Sequence, residues 1–192
     1  MTTLLALALA FVAGSIPTGV IVARAKGVDL RKVGSGNIGA TNVSRALGGK
    51  WAAVVLLADA AKGALPVLVL GRLFDDPWLP ALGGLFAVLG QVFSIFLRGR
   101  GGKGVATSLG AGLALAPVPA LACALVFSLC FLVVRIASIG SILGVVSYPL
   151  FLWLFHLGTW PHLTFAVAVA ALVVVRHKDN LLRLARGNEH RA

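Results

Sequence analysis

Apolar runs and short polar stretches alternate along these 192 residues, and most of the runs are apolar on every side, unlike the one-sided stripe of a helix on a soluble protein. Seven such segments, at about 3–23, 51–71, 79–97, 104–117, 118–134, 141–157 and 162–176, are expected to form helices through a bilayer. The fourth is the exception in length: about 14 residues reach only roughly 20 Å of a hydrocarbon core near 30 Å, which suits a short, buried or partly re-entrant helix. Small residues inside the runs, Gly83-Gly84 with Gly90 and Gly110 with Gly112, favour close approach of helix backbones. The pattern predicts an all-α integral membrane protein, a compact bundle of seven transmembrane helices in a single polytopic domain over residues 1–192, with no internal repeat.

Composition agrees: 59% hydrophobic residues against 12% charged ones, and a mean hydropathy of +0.97, leave too little polar surface for a soluble domain. A net charge of +11 would suggest nucleic acid in a soluble chain, but here its distribution points elsewhere. Of the 17 cations, all but Lys62 and Arg72 fall in residues 24–50, 98–103, at 135, and from 176 onward, and alternate crossings return all four stretches to one side. The positive-inside rule makes that side the cytoplasm, with the amino terminus outside and the carboxyl terminus cytoplasmic. A single kinked crossing over 104–134 would put Arg135 and the basic tail outside, against the charge pattern. The first segment resembles a signal peptide, but no cation precedes it and apolar residues continue past Gly14-Ser15-Ile16-Pro17 to Ala23, so it is read as a retained span. Cys123 and Cys130, seven apart on one helix, lie roughly 10 Å apart along its axis, beyond disulfide reach. No Cys and His cluster suggests a metal, and no cofactor is expected.

Almost all residues able to do chemistry lie in the cationic stretches. Gly34-Ser35-Gly36-Asn37-Ile38-Gly39-Ala40-Thr41-Asn42, followed by Ser44 and Arg45, combines glycines that present backbone N–H groups with Ser, Thr and Asn donors and one guanidinium able to fork onto two phosphate oxygens. Arg98 to Thr107 contains Gly102-Lys103-Gly104 leading into a helix, which is either a phosphate cradle at a helix amino terminus or a basic turn that only orients the chain in the membrane. It is no Walker A sequence, because Leu97 stands where the first Gly belongs and Gly104 where Ser or Thr would follow the Lys. At the start of the sixth segment Ser138 is expected to cap a helix, while Ser141 either caps or contacts a ligand. In the tail, His177 and Asn180 share a helical face, whereas Lys178, Arg186 and Arg191 suit lipid headgroups. Asp59 and Lys62, buried in the second segment three residues apart, are expected to pair.

Taken together, Gly14-Ser15-Ile16-Pro17-Thr18-Gly19, the Gly34–Asn42 stretch, Asp59 with Lys62-Gly63, Gly101–Thr107, and His177 with Asn180 and Arg183-Leu184 resemble the bacterial acyl-phosphate-dependent glycerol-3-phosphate acyltransferases, the PlsY family. The match runs in order over nearly the whole chain. It implies a seven-span enzyme of the bacterial inner membrane, with its active site on the cytoplasmic face. Such an enzyme moves a fatty acyl group from acyl phosphate to the 1-hydroxyl of glycerol 3-phosphate in phospholipid synthesis, giving lysophosphatidic acid and phosphate. By position, the resemblance implies that Ser35, Arg45, Lys103, Ser141 and Asn180 hold phosphate with His177 beside them, and that Gly102 and Gly104 form the phosphate-binding turn. Gly36, Asn37, Thr41 and Asn42 join them as substrate-binding candidates. The expected partners are the two substrates and membrane lipid, not nucleic acid. One departure stands out: where family members carry a His and a Pro, this chain has Gln91 and Ser94, which hydrogen-bond but cannot shuttle protons near neutral pH.

An acyl phosphate is already activated, so alignment and stabilisation of the leaving phosphate suffice, with Lys103, Arg45 and His177 as the catalytic candidates. The chain lacks a Gly-x-Ser-x-Gly turn, and none of its four His residues has an Asp five positions later. The base is either His177 or a phosphate oxygen of the substrate, and substrate assistance is favoured. The rival classes are a phosphate or organophosphate transporter and a noncatalytic lipid-binding scaffold.

Overall fold

The computed structural model describes residues 2–190, so Arg191, one of the tail's expected anchors, lies outside the described residues. Among the described residues, ten α-helices make up the fold: α1 (Thr3–Ser15), α2 (Thr18–Ala25), α3 (Ala40–Leu47), α4 (Gly49–Leu73), α5 (Trp78–Val92), α6 (Val105–Leu115), α7 (Pro117–Val134), α8 (Ala137–Leu154), α9 (Trp160–Arg176) and α10 (Lys178–Ala185). Five stretches are long and apolar enough to cross a bilayer: Thr3–Ala25, Gly49–Leu73, Trp78–Leu97, Pro117–Val134 and Ala137–Leu154. A sixth results if α9 and α10, bent by 53° at His177, are taken as one.

The weak fourth segment is α6, 11 residues long, or about 16 Å. It turns at Ala116-Pro117 into α7, and Val105 at its start lines the same cavity as Phe127 near the end of α7. The two helices therefore form a hairpin rather than one kinked crossing. Residues of three of the cationic stretches, with Ala137 and Ser138 just after Arg135, line that cavity.

Glycines decide how tightly the helices pack. A Cβ on Gly63 of α4 would sit 2.0 Å from the Thr107 carbonyl oxygen, and one on Gly110 of α6 would sit 1.9 Å from that of Ala60, so α4 and α6 meet backbone to backbone. Gly14 and Gly90 do the same for α1 and α5, each 2.0 Å from a carbonyl oxygen of the other helix. The core between the helices holds Val88, Ala111, Leu152, Phe165 and Val173, while Leu57, Val133 and Trp160 face outward, as lipid contact requires.

Pro17 breaks the first span between α1 and α2, and the Ile16 carbonyl at the break accepts from the Thr18 N–H at 3.0 Å and from Lys62 Nζ at 2.6 Å. The expected Asp59–Lys62 pair forms at 2.7 Å. Gln91 spans it, accepting from Lys62 Nζ at 2.6 Å and donating to Asp59 Oδ2 at 3.3 Å, and Thr18 also donates to Asp59. Ser94 donates to the Ser15 carbonyl at 2.5 Å. Gln91 and Ser94 thus act as buried tethers between α1, α4 and α5. Cys123 and Cys130 are both free.

The sequence pattern leaves residues 34–45 as a loop, whereas residues 40–47 form α3. Val43, Ala46 and Leu47, at helical spacing, pack on Ala23, Leu30, Val55 and Trp51, and this contact stabilises eight residues too few to stand alone.

Candidate active site

Four helices begin around one polar cavity of about 140 Å³. Its walls include Gly39, Ala40 and Thr41 at the start of α3, Gly104, Val105 and Ala106 at the start of α6, Ala137 and Ser138 at the start of α8, and His177 at the start of α10. Each amino terminus carries partial positive charge and N–H groups without helical partners, so their convergence favours an anion. The formal charges add to this. Two carboxylates line the cavity, but Asp59 is paired with Lys62 at 2.7 Å and Glu189 with Arg183 at 2.8 Å. Among the described residues, Arg45 and Lys103 on its wall form no ion pair.

Of the residues proposed from sequence, Ser35, Asn37, Thr41, Asn42, Arg45, Lys103, Gly104, Ser141, His177 and Asn180 all line this cavity. Gly36 and Gly102 do not. Gly36, at φ +67, turns the loop and its carbonyl accepts from Arg31, while the Gly102 N–H donates to the Gln91 carbonyl at 2.9 Å. That bond ties the lysine loop to α5, where a Cβ on Gly102 would approach Gln91 Nε2 to 3.0 Å. Gly104, at φ +83, lets the loop enter α6.

Asn42 is also a scaffold rather than a ligand donor. Buried at 1% exposure, its amide accepts from the Ser35 N–H at 3.0 Å and donates toward the Leu30, Val33 and Asn37 carbonyls at 2.8–3.1 Å. It folds the glycine loop around itself. Ser138 does not cap α8, since Ile136 precedes the helix; its hydroxyl donates to Glu189 at 3.0 Å instead. Ser141 donates to the Ala137 carbonyl at 2.8 Å, keeping its lone pairs.

Glu189, which no local sequence pattern marks, joins the cavity wall from the tail. It accepts from Ser138, Asn180 and Arg183, while Asn180 accepts from Lys103, so a chain of hydrogen bonds runs from the tail to the lysine. Burial alone would raise the Glu189 carboxyl, but the hydrogen bonds from Asn180, Arg183 and Ser138 outweigh it and hold the carboxyl below its ordinary value. The stability this contributes is present above the unfolded-state value of about 4.3 and is lost as pH falls through the folded-state value.

Burial lowers Lys103 to about 8, with Glu189 pulling it up and Arg183 and Arg45 pushing it down. Glu189→Gln is therefore expected to lower the Lys103 pKa further and shift the alkaline limb of any Lys103-dependent activity to lower pH. A limb that stays in place in that variant would mean that Glu189 does not act on Lys103.

His177, 2% exposed and beyond the end of α9, is lowered to about 4 by burial first and Lys103 second. Its Nδ1–H donates to the Val173 carbonyl at 2.8 Å, so in the neutral ring that this lowering favours near pH 7 the unprotonated nitrogen is Nε2.

A second cavity, of about 290 Å³ and almost wholly apolar, continues from the first. Leu56, Val105, Ala106, Phe127 and Ser141 line both. It runs between α6, α7 and α8, and Gly112, Gly140 and Gly144 on its wall let these helices pack closely, a Cβ on Gly140 or Gly144 lying 3.0 Å from a carbonyl oxygen of α7. The two cavities together fit a molecule with an anionic head and an apolar chain.

Comparisons with known proteins agree with that shape. A family model described as glycerol-3-phosphate acyltransferase matches residues 4–187. A Geobacter sulfurreducens protein named glycerol-3-phosphate acyltransferase is 45% identical over 193 residues, covering 100% of this chain and 98% of its own. A crystal structure of PlsY, an integral membrane glycerol 3-phosphate acyltransferase, in its glycerol 3-phosphate form superposes with a TM-score of 0.95 at 42% identity, covering 100% of this chain and 96% of that one. The lysophosphatidic acid form of PlsY gives 0.92 at 40% identity, with 100% and 95% covered. With a full-length family match and relatives of this similarity, the chain is a multi-pass membrane protein that belongs to the glycerol-3-phosphate acyltransferase family.

Proposed function

We propose that this protein transfers a fatty acyl group from acyl phosphate to the 1-hydroxyl of glycerol 3-phosphate at the cytoplasmic face of a bacterial inner membrane. The observation that carries this reading is the junction of the two cavities: an anion-favouring chamber under four helix amino termini opens onto an apolar groove with shared walls. Both proposed substrates are phosphates, and one carries a long chain. In this reading the chain is one membrane domain of seven segments, with α6 the shortest. The amino terminus is outside, and the cationic end containing both cavities is cytoplasmic.

Arg45 and Lys103 hold phosphate oxygens, helped by the α3 and α6 amino termini and by Ser35, Thr41 and Ser141 hydroxyls. Asn37 and Asn180 shape the chamber, and Asn180 keeps Lys103 aimed into it. The acyl chain lies in the apolar groove, which puts its carbonyl near Ser141 and Val105, where the cavities join. The glycerol 1-oxygen attacks that carbonyl carbon, the bond from carbon to the bridging phosphate oxygen breaks, and phosphate leaves with the electron pair. The hydroxyl proton passes to a phosphate oxygen of glycerol 3-phosphate and then to water. A phosphate monoester, with a second pKa near 6, is a stronger base by about two units than His177 at about 4. His177 Nε2 then serves to accept a hydrogen bond and orient the hydroxyl.

On this account kcat/KM rises with pH through about 6 as glycerol 3-phosphate becomes a dianion, and falls above about 8 as Lys103 loses its proton. The His177→Ala protein is expected to keep both limbs and to lose activity by about tenfold. Loss of the acid limb in that variant would make His177 the base.

The function itself is tested with purified protein in lipid nanodiscs, palmitoyl phosphate and radiolabelled glycerol 3-phosphate. Labelled lysophosphatidic acid is expected with acyl phosphate and not with palmitoyl thioesters of coenzyme A. Folded protein that yields none would refute the reading.

A further inference from the structure

Three of the helices that wall the apolar groove, α6, α7 and α8, come together at its far end. A Cβ on Gly112 of α6 would lie 3.3 Å from Tyr148 Cζ and Oη on α8 and 3.4 Å from the Ala120 Cβ on α7. Tyr148, 5% exposed, is fixed there by two contacts. Its hydroxyl donates to the Gly112 carbonyl at 3.2 Å, and its ring meets Phe165 edge-on with centroids 6.2 Å apart. The groove is therefore closed by a braced aromatic ring rather than tapering into loose packing.

We propose that Tyr148, backed by Gly112 and Ala120, is the measuring floor of the groove and sets how much of the acyl chain runs straight into the bundle. The proposal rests on the acyl-transfer reading above. Its scale follows from the helices. Val105 and Ser141, on the wall shared with the polar cavity, are each seven residues from the floor residues Gly112 and Tyr148, a depth of roughly 10 Å. An extended chain advances roughly 1.25 Å per carbon for C–C bonds near 1.5 Å, so about eight carbons fill the straight part. Longer chains have to turn at the Tyr148 ring. The groove then discriminates strongly among chains up to about eight carbons and weakly beyond them.

Removing the ring and its hydroxyl opens roughly 5 Å, or about four more carbons of straight groove. A leucine at Ala120 does the opposite and raises the floor. Both changes are read in one vessel: nanodiscs of fixed lipid composition, glycerol 3-phosphate, and an equimolar mixture of butanoyl, octanoyl, dodecanoyl and hexadecanoyl phosphates. The lysophosphatidic acid species are quantified by mass spectrometry. Ratios within each protein cancel any loss common to all chain lengths.

Tyr148→Ala is expected to raise the dodecanoyl-to-octanoyl product ratio by about fivefold or more. That is well under the roughly fourfold per methylene that transfer from water would give, because these donors start in lipid. Tyr148→Phe keeps the ring and the wild-type ratio. Ala120→Leu lowers the octanoyl-to-butanoyl ratio, and it decides alone if Tyr148→Ala does not fold. Ratios within twofold of wild type in both Tyr148→Ala and Ala120→Leu would overturn the floor while leaving acyl transfer intact. Absence of every lysophosphatidic acid species from the wild-type protein would overturn acyl transfer itself.

Discussion

Lys103→Ala is expected to lower kcat/KM by about 10³-fold while leaving the protein inserted and folded. The lysine is one of two cations on the polar cavity without an ion-pair partner among the described residues, and it enters from a loop whose glycines are fixed by Gln91 on one side and α6 on the other. In a chamber this enclosed, a charge aimed at a departing phosphate is worth several kcal/mol, and no neighbour replaces it. Topology does not depend on it, because fourteen other cations remain in the same stretches. The measurement is kcat/KM in nanodiscs beside the size-exclusion profile and circular dichroism of the purified variant. The exposed Lys178, on α10 and off the cavity wall, supplies the control: Lys178→Ala should stay within about twofold. Near-normal turnover by Lys103→Ala would mean that the glycine-lysine turn only orients the protein in the membrane.

Gly110→Val should have the largest effect on stability. A Cβ at Gly110 would be 1.9 Å from the Ala60 carbonyl oxygen, and the reciprocal contact at Gly63 leaves a Cβ 2.0 Å from the Thr107 carbonyl oxygen. Backbone atoms cannot rotate away as a side chain can, so α6 must separate from α4 as a unit. α6 packs more on α4 than on any other helix, so opening this face leaves its 11 residues held mainly by α5, α7 and α9. The expected cost is about 3 kcal/mol or more, above the usual range for overpacking. Thermal unfolding in detergent should show Gly110→Val melting far below wild type or failing to give monodisperse protein. Gly71→Ala, whose Cβ would meet only the Pro80 side chain at 3.4 Å, should change little. Equal melting temperatures for Gly110→Val and wild type would contradict the backbone-to-backbone contact.

The features legible in the sequence are those carried by local patterns. Continuous apolar runs mark the long helices within a few residues. Gly102-Lys103-Gly104 before an apolar run marks a helix amino terminus, and spacing by three predicts both the Asp59–Lys62 pair and the shared face of His177 and Asn180. What was hidden depends on contacts between distant segments. Nothing near Glu189 shows that its carboxylate returns to Ser138 and Asn180. Asn42 looks like any exposed donor in a glycine-rich loop until the loop wraps around it. α3 is too short and too polar on average to register, although its Val43, Ala46 and Leu47 stripe was a usable signal. The apolar groove is walled by residues of α6, α7 and α8 that lie far apart in sequence, and its glycines seat neighbouring helices as Gly110 does, so nothing in the local pattern marks a cavity there.

Phosphorus NMR of one reaction mixture tests the central claim most directly. Purified protein in nanodiscs receives palmitoyl phosphate and glycerol 3-phosphate. The acyl phosphate resonance is expected to disappear as inorganic phosphate and lysophosphatidic acid appear in equal amounts, with neither formed by Lys103→Ala above the uncatalysed rate. Inorganic phosphate released without lysophosphatidic acid, or no change in any resonance with folded wild-type protein, would contradict it.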